Sequence, residues 1–329
     1  MQDSPPPPAP GDDLPPRRLS VAAREQVADG IWRFVLTARG GEPLDWPGAG
    51  AHLPVLTPGG HWRQYSLCQA PDEAGGYEIA VKREAGGRGG SVSLCDGAEP
   101  GSTLWCGQPR NHFALDERAQ SLLLIAGGIG LTPILAMARA AAANDTPFTL
   151  LALSRDAAGM PFQDALDGLR ASGKVVVHHD RGRADDAFDL WPLLEKPRRG
   201  TQVYCCGPRG LMDAVRDMSG HWPSGSVHFE SFGVSAVERA RDEAFTAVLA
   251  STGRRVEVAA GQSLLDALRA AGCSVASSCE SGSCGSCRTG LLEGAAEHRD
   301  FVLGEAEQQT QIMPCVSRAR AGTVLVLDL

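Results

Sequence analysis

The chain has 329 residues, 43% hydrophobic and 21% charged, enough for two or three domains with ordinary cores. Its formal charge of −8 leaves no basic surplus to neutralise phosphates, which excludes a general nucleic-acid binder. The uncharged stretch 122–138 is broken by Gly127, Gly128, Gly130 and Pro133, unlike the ~20 apolar residues of a membrane span, so no membrane association is expected.

Residues 1–16 (MQDSPPPPAPGDDLPP) have neither the basic nor the apolar region of a secretory signal and read as a disordered, Pro-rich tail. Over 17–118, β-like runs at 31–38, 51–57, 65–68 and 77–82 alternate with Gly and Pro, the spacing of an antiparallel barrel, with one short helix at 91–95. The texture changes over 119–232. Apolar strands at 121–126, 148–153, 174–178 and 202–205 alternate with helices at 132–143, 162–171 and 209–218, which implies a parallel α/β sheet. Residues 233–243 (GVSAVERARDE) are polar and aperiodic, as a linker would be. The last unit, 244–329, starts with strands at 245–250 and 254–258, continues with a helix from Ser263 that Gly272 ends, and closes with a strand at 323–328.

Arg63, Gln64, Tyr65 and Ser66 lie on a barrel strand and offer a cation, a planar ring and a hydroxyl, groups that suit an isoalloxazine. Some twenty residues on, Gly87, Arg88, Gly89, Gly90 and Ser91 open a helix, whose free amides and dipole favour a phosphate. Either element alone is as consistent with an ordinary strand or turn, but their order and separation make the pair a flavin site. The residues themselves leave FMN and FAD open.

In the α/β region a glycine turn containing Gly128 and Gly130, followed by Thr132 and Pro133, leaves an apolar strand and opens a helix. That placement presents amides to a pyrophosphate, although the turn is not the G-x-G-x-x-G fingerprint. Cys206, Gly207 and Pro208 end a later strand where another helix begins. Ser154 and Arg155 follow the second strand, where an adenine ribose would sit, and Arg155 suits a 2′-phosphate. Cys68, Cys95, Cys106, Cys205 and Cys273 read as packing residues.

Cys279, Cys284 and Cys287, with Cys315 far downstream, have the plant-type C-x4-C-x2-C spacing of a [2Fe–2S] site. Gly282 and Gly285 let the backbone curl, while Ser281, Ser283 and Ser286 keep side chains small so that amides face the sulfurs. A structural zinc site prefers paired C-x2-C knuckles, and this loop has one. Clustered rather than framework cysteines point to a reducing, cytoplasmic compartment.

With these motifs in this order, residues 17–329 resemble the ferredoxin-reductase superfamily and, given the C-terminal ferredoxin motif, the phthalate dioxygenase reductase family. The resemblance implies a multidomain fold: an antiparallel β-barrel flavin domain (17–118), an α/β parallel-sheet NAD domain (119–232) and an α+β β-grasp ferredoxin domain (244–329). It implies FMN as the flavin and NADH as the donor. Tyr65 would pack on the ring, Ser66 would bond near N5, and Arg63 would face the phosphate or pyrimidine end. Ala80, Val81 and Lys82 would line the flavin through their backbone, and Arg88, Gly89, Gly90 and Ser91 would hold its terminal phosphate. Cys206 and Glu230 would join Ser66 where hydride is transferred, with Phe232 covering the flavin face.

The implied activity is that of an oxidoreductase. Hydride passes from NADH to FMN, and single electrons then pass through [2Fe–2S] to the Rieske centre of a partner aromatic-ring oxygenase or demethylase. A monomer is expected. The alternatives are an FAD- and NADPH-dependent ferredoxin-type reductase and, from another class, a zinc-binding carrier without enzymatic activity.

Overall fold

The computed structural model describes residues 6, 9, 12, 14–71 and 75–329, which form two compact units, 1–230 and 231–329. Most of the expected disordered tail lies outside the described residues. Asp12 is described, and there the expectation is corrected: its carboxylate, 2% exposed, pairs with Arg110 at 2.7 Å and accepts from the Gln108 amide. Composition carries no signal for such a long-range ion pair.

In the first unit six strands make an antiparallel sheet: β1 (Arg17–Ala28), β2 (Ile31–Ala38), β3 (His52–Leu56), β4 (Trp62–Ser66), β5 (Gly76–Lys82) and, after helix α1 (Gly90–Gly97), β6 (Thr103–Cys106). Their order is β4-β3-β6-β1-β2-β5. Just beyond β4, Leu67 bridges Ile79 of β5 and the Cys68 amide donates to Glu78 O at 2.9 Å, so the two edge strands meet and the sheet closes into a barrel. Closure removes the exposed edges. Leu19, Phe34, Leu36, Leu53, Tyr77 and Ile79 fill the interior.

The same unit continues with β7 (Ser121–Gly127), α2 (Leu131–Ala143), β8 (Phe148–Ser154), α3 (Gln163–Leu169), β9 (Lys174–His179), α4 (Trp191–Leu194), β10 (Thr201–Cys206), α5 (Arg209–Met218) and β11 (Val227–Glu230). The strands are parallel in the order β11-β10-β7-β8-β9. This doubly wound order reverses between β7 and β10, and ligands of such sheets bind beyond the carboxyl ends of the strands at that point. The barrel and this sheet pack as one body, because Cys68 and Ala80 of the barrel share a buried cluster with Leu131, Ile134 and Leu135 of α2.

The second unit carries α6 (Ala236–Arg239), β12 (Phe245–Leu249), β13 (Arg255–Val258), α7 (Leu264–Ala270), β14 (Thr289–Glu293), α8 (Glu305–Gln308), β15 (Gln311–Ile312) and β16 (Val324–Asp328). Its mixed sheet runs β13-β12-β16-β14-β15, with β12 and β16 parallel and α7 against it, a β-grasp. Ser263 accepts from the Asp266 amide at 3.0 Å, a cap contributing about 1 kcal/mol, and Gly272 at φ 84° ends the helix. The expected linker 233–243 is partly built into this unit. Asp242, 3% exposed, pairs with Arg299 at 2.7 Å and with Arg318 at 3.5 Å. A polar string reads as solvated, but two arginines from elsewhere in the unit make burial of this carboxylate affordable. No helix among the described residues is long and apolar enough to cross a membrane.

Candidate active site

Strand β4 and the start of α1, the two proposed flavin elements, meet through Arg63. Its Nη2 donates to Arg88 O at 3.1 Å, and a Cβ at Gly90 would stand 2.6 Å from its Nε. That approach explains the glycine. Gly89, at φ 76°, precedes the first turn of α1, whose leading amides have no intrahelical acceptor and favour an anion. Ser91 Oγ accepts from the Glu84 amide at 3.1 Å. Gln64 sits opposite Pro54 in the β3–β4 ladder. The Tyr65 ring packs on the barrel core, and burial pushes its phenol pKa up. Its hydroxyl is buried with no partner among the described residues, which costs about 1–3 kcal/mol and fits a bound group that supplies one. On β5, Ala80 and Val81 are buried, while exposed Lys82 pairs with Glu84 at 3.7 Å.

At the switch point the barrel and the parallel sheet touch. Ser66 Oγ donates to Glu230 Oε2 at 3.2 Å, and Glu230 is the register partner of Cys206 across β10 and β11. All three are buried. Burial, reinforced by the neighbouring Glu230 carboxylate, holds the Cys206 thiol well above its ordinary pKa, so it remains a neutral thiol. A hydroxyl, a carboxylate and a thiol are thereby gathered in a dry crevice, where fixed dipoles act strongly on charge that develops in a reaction. Phe232 follows Glu230 by two residues and is 49% exposed.

The glycine turn after β7 is shaped by the end of β10. A Cβ at Gly130 would lie 2.3 Å from Cys206 O, and one at Gly127 would lie 2.6 Å from Pro208 Cδ. Gly128 has φ 55°. Gly207 is likewise 3.0 Å from the Gly127 backbone when given a Cβ, so only glycines let the two turns touch. Thr132 turns inward, its Oγ1 donating to Ile129 O at 3.0 Å, and Pro133 is buried in the first turn of α2. At the end of β8, Ser154 Oγ donates to Asp156 O at 2.7 Å, whereas Arg155 is exposed.

In the second unit Cys279, Cys284 and Cys287 lie in the loop between α7 and β14 and Cys315 follows β15, and the four fall into two pairs. Cys279 neighbours Cys284, and Cys287 neighbours Cys315. Within the first pair the neighbouring Cys284 thiol draws Cys279 below the ordinary thiol range, while Cys284 itself is held up. Among the described residues no three His, Cys, Asp or Glu side chains converge on one ion. A zinc ion asks for four ligands at equal reach, whereas a two-iron cluster asks for two on each metal, so the pairing fits the cluster. The Ser281 and Ser286 amides donate to Cys279 Sγ at 3.4 Å and Cys284 Sγ at 3.5 Å, with Gly282 and Gly285 both at φ 79°. Gly282 O accepts from the Phe301 amide at 3.0 Å.

Sequence reasoning passed over His52, Glu78 and Arg139. His52 faces Ser66 in register on β3, is 4% exposed, and is pushed down to about 3 by burial, with His112 and Arg110 adding to it. Glu78 lies on the outer face of β5 beneath α2. The signal for it was a lone acid inside the apolar run YEIAV, which alternation assigns to solvent unless a second layer covers that face.

Residues 124–217 match the oxidoreductase NAD-binding domain model, and residues 248–320 match the 2Fe-2S iron-sulfur cluster binding domain model. The chain is 51% identical to the phthalate 4,5-dioxygenase oxygenase reductase subunit of Pseudomonas putida, over 94% of its own length and 96% of that protein. It is 38% identical to the vanillate O-demethylase oxidoreductase of Pseudomonas putida, over 94% and 98%. The solved structure of phthalate dioxygenase reductase, described as modular for electron transfer from pyridine nucleotides to [2Fe–2S], superposes with a TM-score of 0.76 at 49% identity, covering 95% of this chain and 98% of that one. Such identity across nearly the whole length, with both domain models falling on the glycine turn and the cysteine loop, means that the chain belongs to the phthalate dioxygenase reductase family.

Proposed function

We propose that this oxidoreductase takes hydride from NADH onto FMN and passes single electrons through a [2Fe–2S] centre to the Rieske centre of a partner aromatic-ring oxygenase or demethylase, acting as a cytoplasmic monomer. The observation that carries this reading is the 3.2 Å contact between Ser66 and Glu230. It joins the strand suited to a flavin to the crevice suited to a nicotinamide, in a chain that also carries four paired cysteines. When bound, FMN converts an electron pair into single electrons, which the iron centre accepts.

The residues divide the work. Arg63 and the amides at Arg88, Gly89, Gly90 and Ser91 would hold the FMN phosphate, with Gln64, Tyr65, Ala80, Val81 and Lys82 along the rest of the flavin. Gly128, Gly130, Thr132 and Pro133 form the turn for the pyrophosphate, while Ser154 and Arg155 stand at the adenosine end. Cys206, Gly207 and Pro208 border the nicotinamide. Ser66 and Glu230 supply a proton-bearing hydrogen-bond pair at the reacting atoms, and Phe232 would shield the flavin face. Cys279, Cys284, Cys287 and Cys315 would ligate iron. In this reading residues 17–118, 119–232 and 244–329 serve as flavin, NAD and ferredoxin domains.

Metal and flavin analysis of the purified protein tests the reading: one FMN and two irons per chain, with a red-brown colour, are expected. A colourless protein containing stoichiometric zinc would overturn it.

A further inference from the structure

Arg139 stands on α2, seven residues beyond Thr132, hence about 10 Å along the helix at ~1.5 Å per residue. Its Nη1 donates to Cys68 O at 3.0 Å and to Glu78 Oε1 at 3.2 Å. Both acceptors belong to the seam where the barrel closes. Ser66 lies two residues before Cys68, and Ala80 two residues after Glu78. Glu78 is 4% exposed, and its other oxygen accepts from Arg33 Nε of β2 at 2.6 Å. Arg139 therefore ties the helix that leads from the glycine turn to β5 through the buried Glu78 carboxylate and to the segment just beyond β4 through Cys68 O.

We propose that Arg139 is a positioning residue for hydride transfer: with Glu78 it locks α2 onto the barrel seam and so sets the separation between a nucleotide held at the start of α2 and a flavin held at Ser66. The inference rests on the functional reading above. Ser66 and Glu230 form the tie at the chemistry itself, and Arg139 forms a second tie on the same side of the sheet. The shared apolar cluster holds the two halves together, and the Arg139–Glu78 pair adds a directional lock that apolar packing lacks. A small shift at this seam leaves each cofactor site intact, because the phosphate loop and the glycine turn each lie within one half, but it alters the gap that the hydride must cross.

Rapid mixing of anaerobic protein with NADH, and with NADH deuterated at C4, tests the proposal through the bleaching of the flavin. For Arg139→Met, a misplacement of the order of 1 Å should slow reduction at saturating NADH by roughly 10- to 100-fold. Flavin content and the Kd for NADH should hold, the isotope effect should rise, and Arg139→Lys should recover much of the rate by restoring a cation. Glu78→Gln, which keeps the shape and removes the charge that Arg139 holds, should slow reduction in the same way and decides the matter if the Met variant does not fold. Reduction as fast as wild type in the variants overturns the proposal, and so does a loss of flavin or NADH binding in step with the rate, since that marks a merely structural contact. A wild-type protein that NADH does not bleach fails the functional reading itself; equal bleaching of wild type and variants fails this inference alone.

Discussion

The crevice at Ser66 and the loop around Cys279 solve opposite problems. The crevice is assembled from distant segments: β4, the turn after β7, the end of β10 and the end of β11. The cysteine loop draws three of its four cysteines from nine consecutive residues. The first depends on two layers meeting at a fixed distance, so its integrity lies in tertiary contacts such as Ser66 to Glu230 at 3.2 Å. The second depends on local backbone curl, with Gly282 and Gly285 both at φ 79°, and is braced from Gly282 O to the Phe301 amide. A site written in one loop is damaged by changes in that loop, whereas a site assembled across layers is also sensitive to residues that touch no ligand.

The sharpest way to separate the two regions is Cys284→Ala. Each unit has its own core, so removing one thiolate should lose or damage the iron centre and leave the barrel and parallel sheet folded. Ferricyanide reduction by NADH should persist at near wild-type rate, since that acceptor can be served from the flavin. Reduction of cytochrome c and support of the oxygenase should fall to background. Parallel loss of both activities at normal FMN content would break the comparison, and full retention of both would take the cysteine loop off the electron path.

Ser66→Ala probes the other side. Ser66 is 5% exposed and its hydroxyl donates to Glu230, so its loss removes a preorganised group where charge develops while Arg63 and the loop it meets stay in place. Flavin reduction should slow by roughly 10²-fold with little loss of FMN. Stopped-flow reduction at the wild-type rate would remove Ser66 from the chemistry.

The contrast also explains how much was legible in the sequence. Cys279, Cys284, Cys287 and Cys315 declare themselves by spacing, because their geometry is local. Helix α5 and strand β2 appear at 209–218 and 31–38 as periodicity places them. Strand β1 was missed because its register slips between Val21 and Ala23 and again between Gln26 and Ala28, which breaks the alternation that identifies a strand. The short β6 and β15 leave too few residues for a period. Glu78, Arg139 and Asp242 are charged, and a charge reads as solvated until its partner from another layer is known. The crevice residues were read through family resemblance, since no local rule links Ser66 to Glu230 across 164 positions.

The dryness that suits the crevice also gives the first unit a weakness in acid. His52, the register partner of Ser66, is pushed down to about 3 by burial, against about 6.5 in the unfolded chain. Below pH 6.5 the unfolded chain therefore takes up a proton that the folded chain refuses. Its contribution to stability is intact above that pH and is lost progressively as the pH falls from about 6.5 toward 3. The slope approaches about 1.4 kcal/mol per pH unit. Flavin-release melting followed from pH 7 to pH 5 should show the decline, and His52→Gln should flatten it. An equal pH slope in the variant would mean that other groups govern acid unfolding.

Coenzyme choice should show the smallest effect, because the residue in question is the least constrained. Arg155 follows β8 at the carboxyl end of the sheet, exposed, where the ribose of a bound dinucleotide belongs. Its backbone carbonyl accepts from the Arg181 amide at 2.7 Å, which brings a second cation to the same edge, so a 2′-phosphate would meet positive charge. An exposed guanidinium contributes at most about 1 kcal/mol to such a pair, which corresponds to about fivefold in kcat/KM at ~1.4 kcal/mol per tenfold. Wild type is expected to prefer NADH, and Arg155→Ala should widen that preference by up to this factor, acting on NADPH and leaving NADH unchanged. An unaltered ratio would place Arg155 away from the nucleotide. A wild type that prefers NADPH would mean that the arginines at this edge decide the coenzyme, and would shift the reading toward an NADPH-dependent reductase.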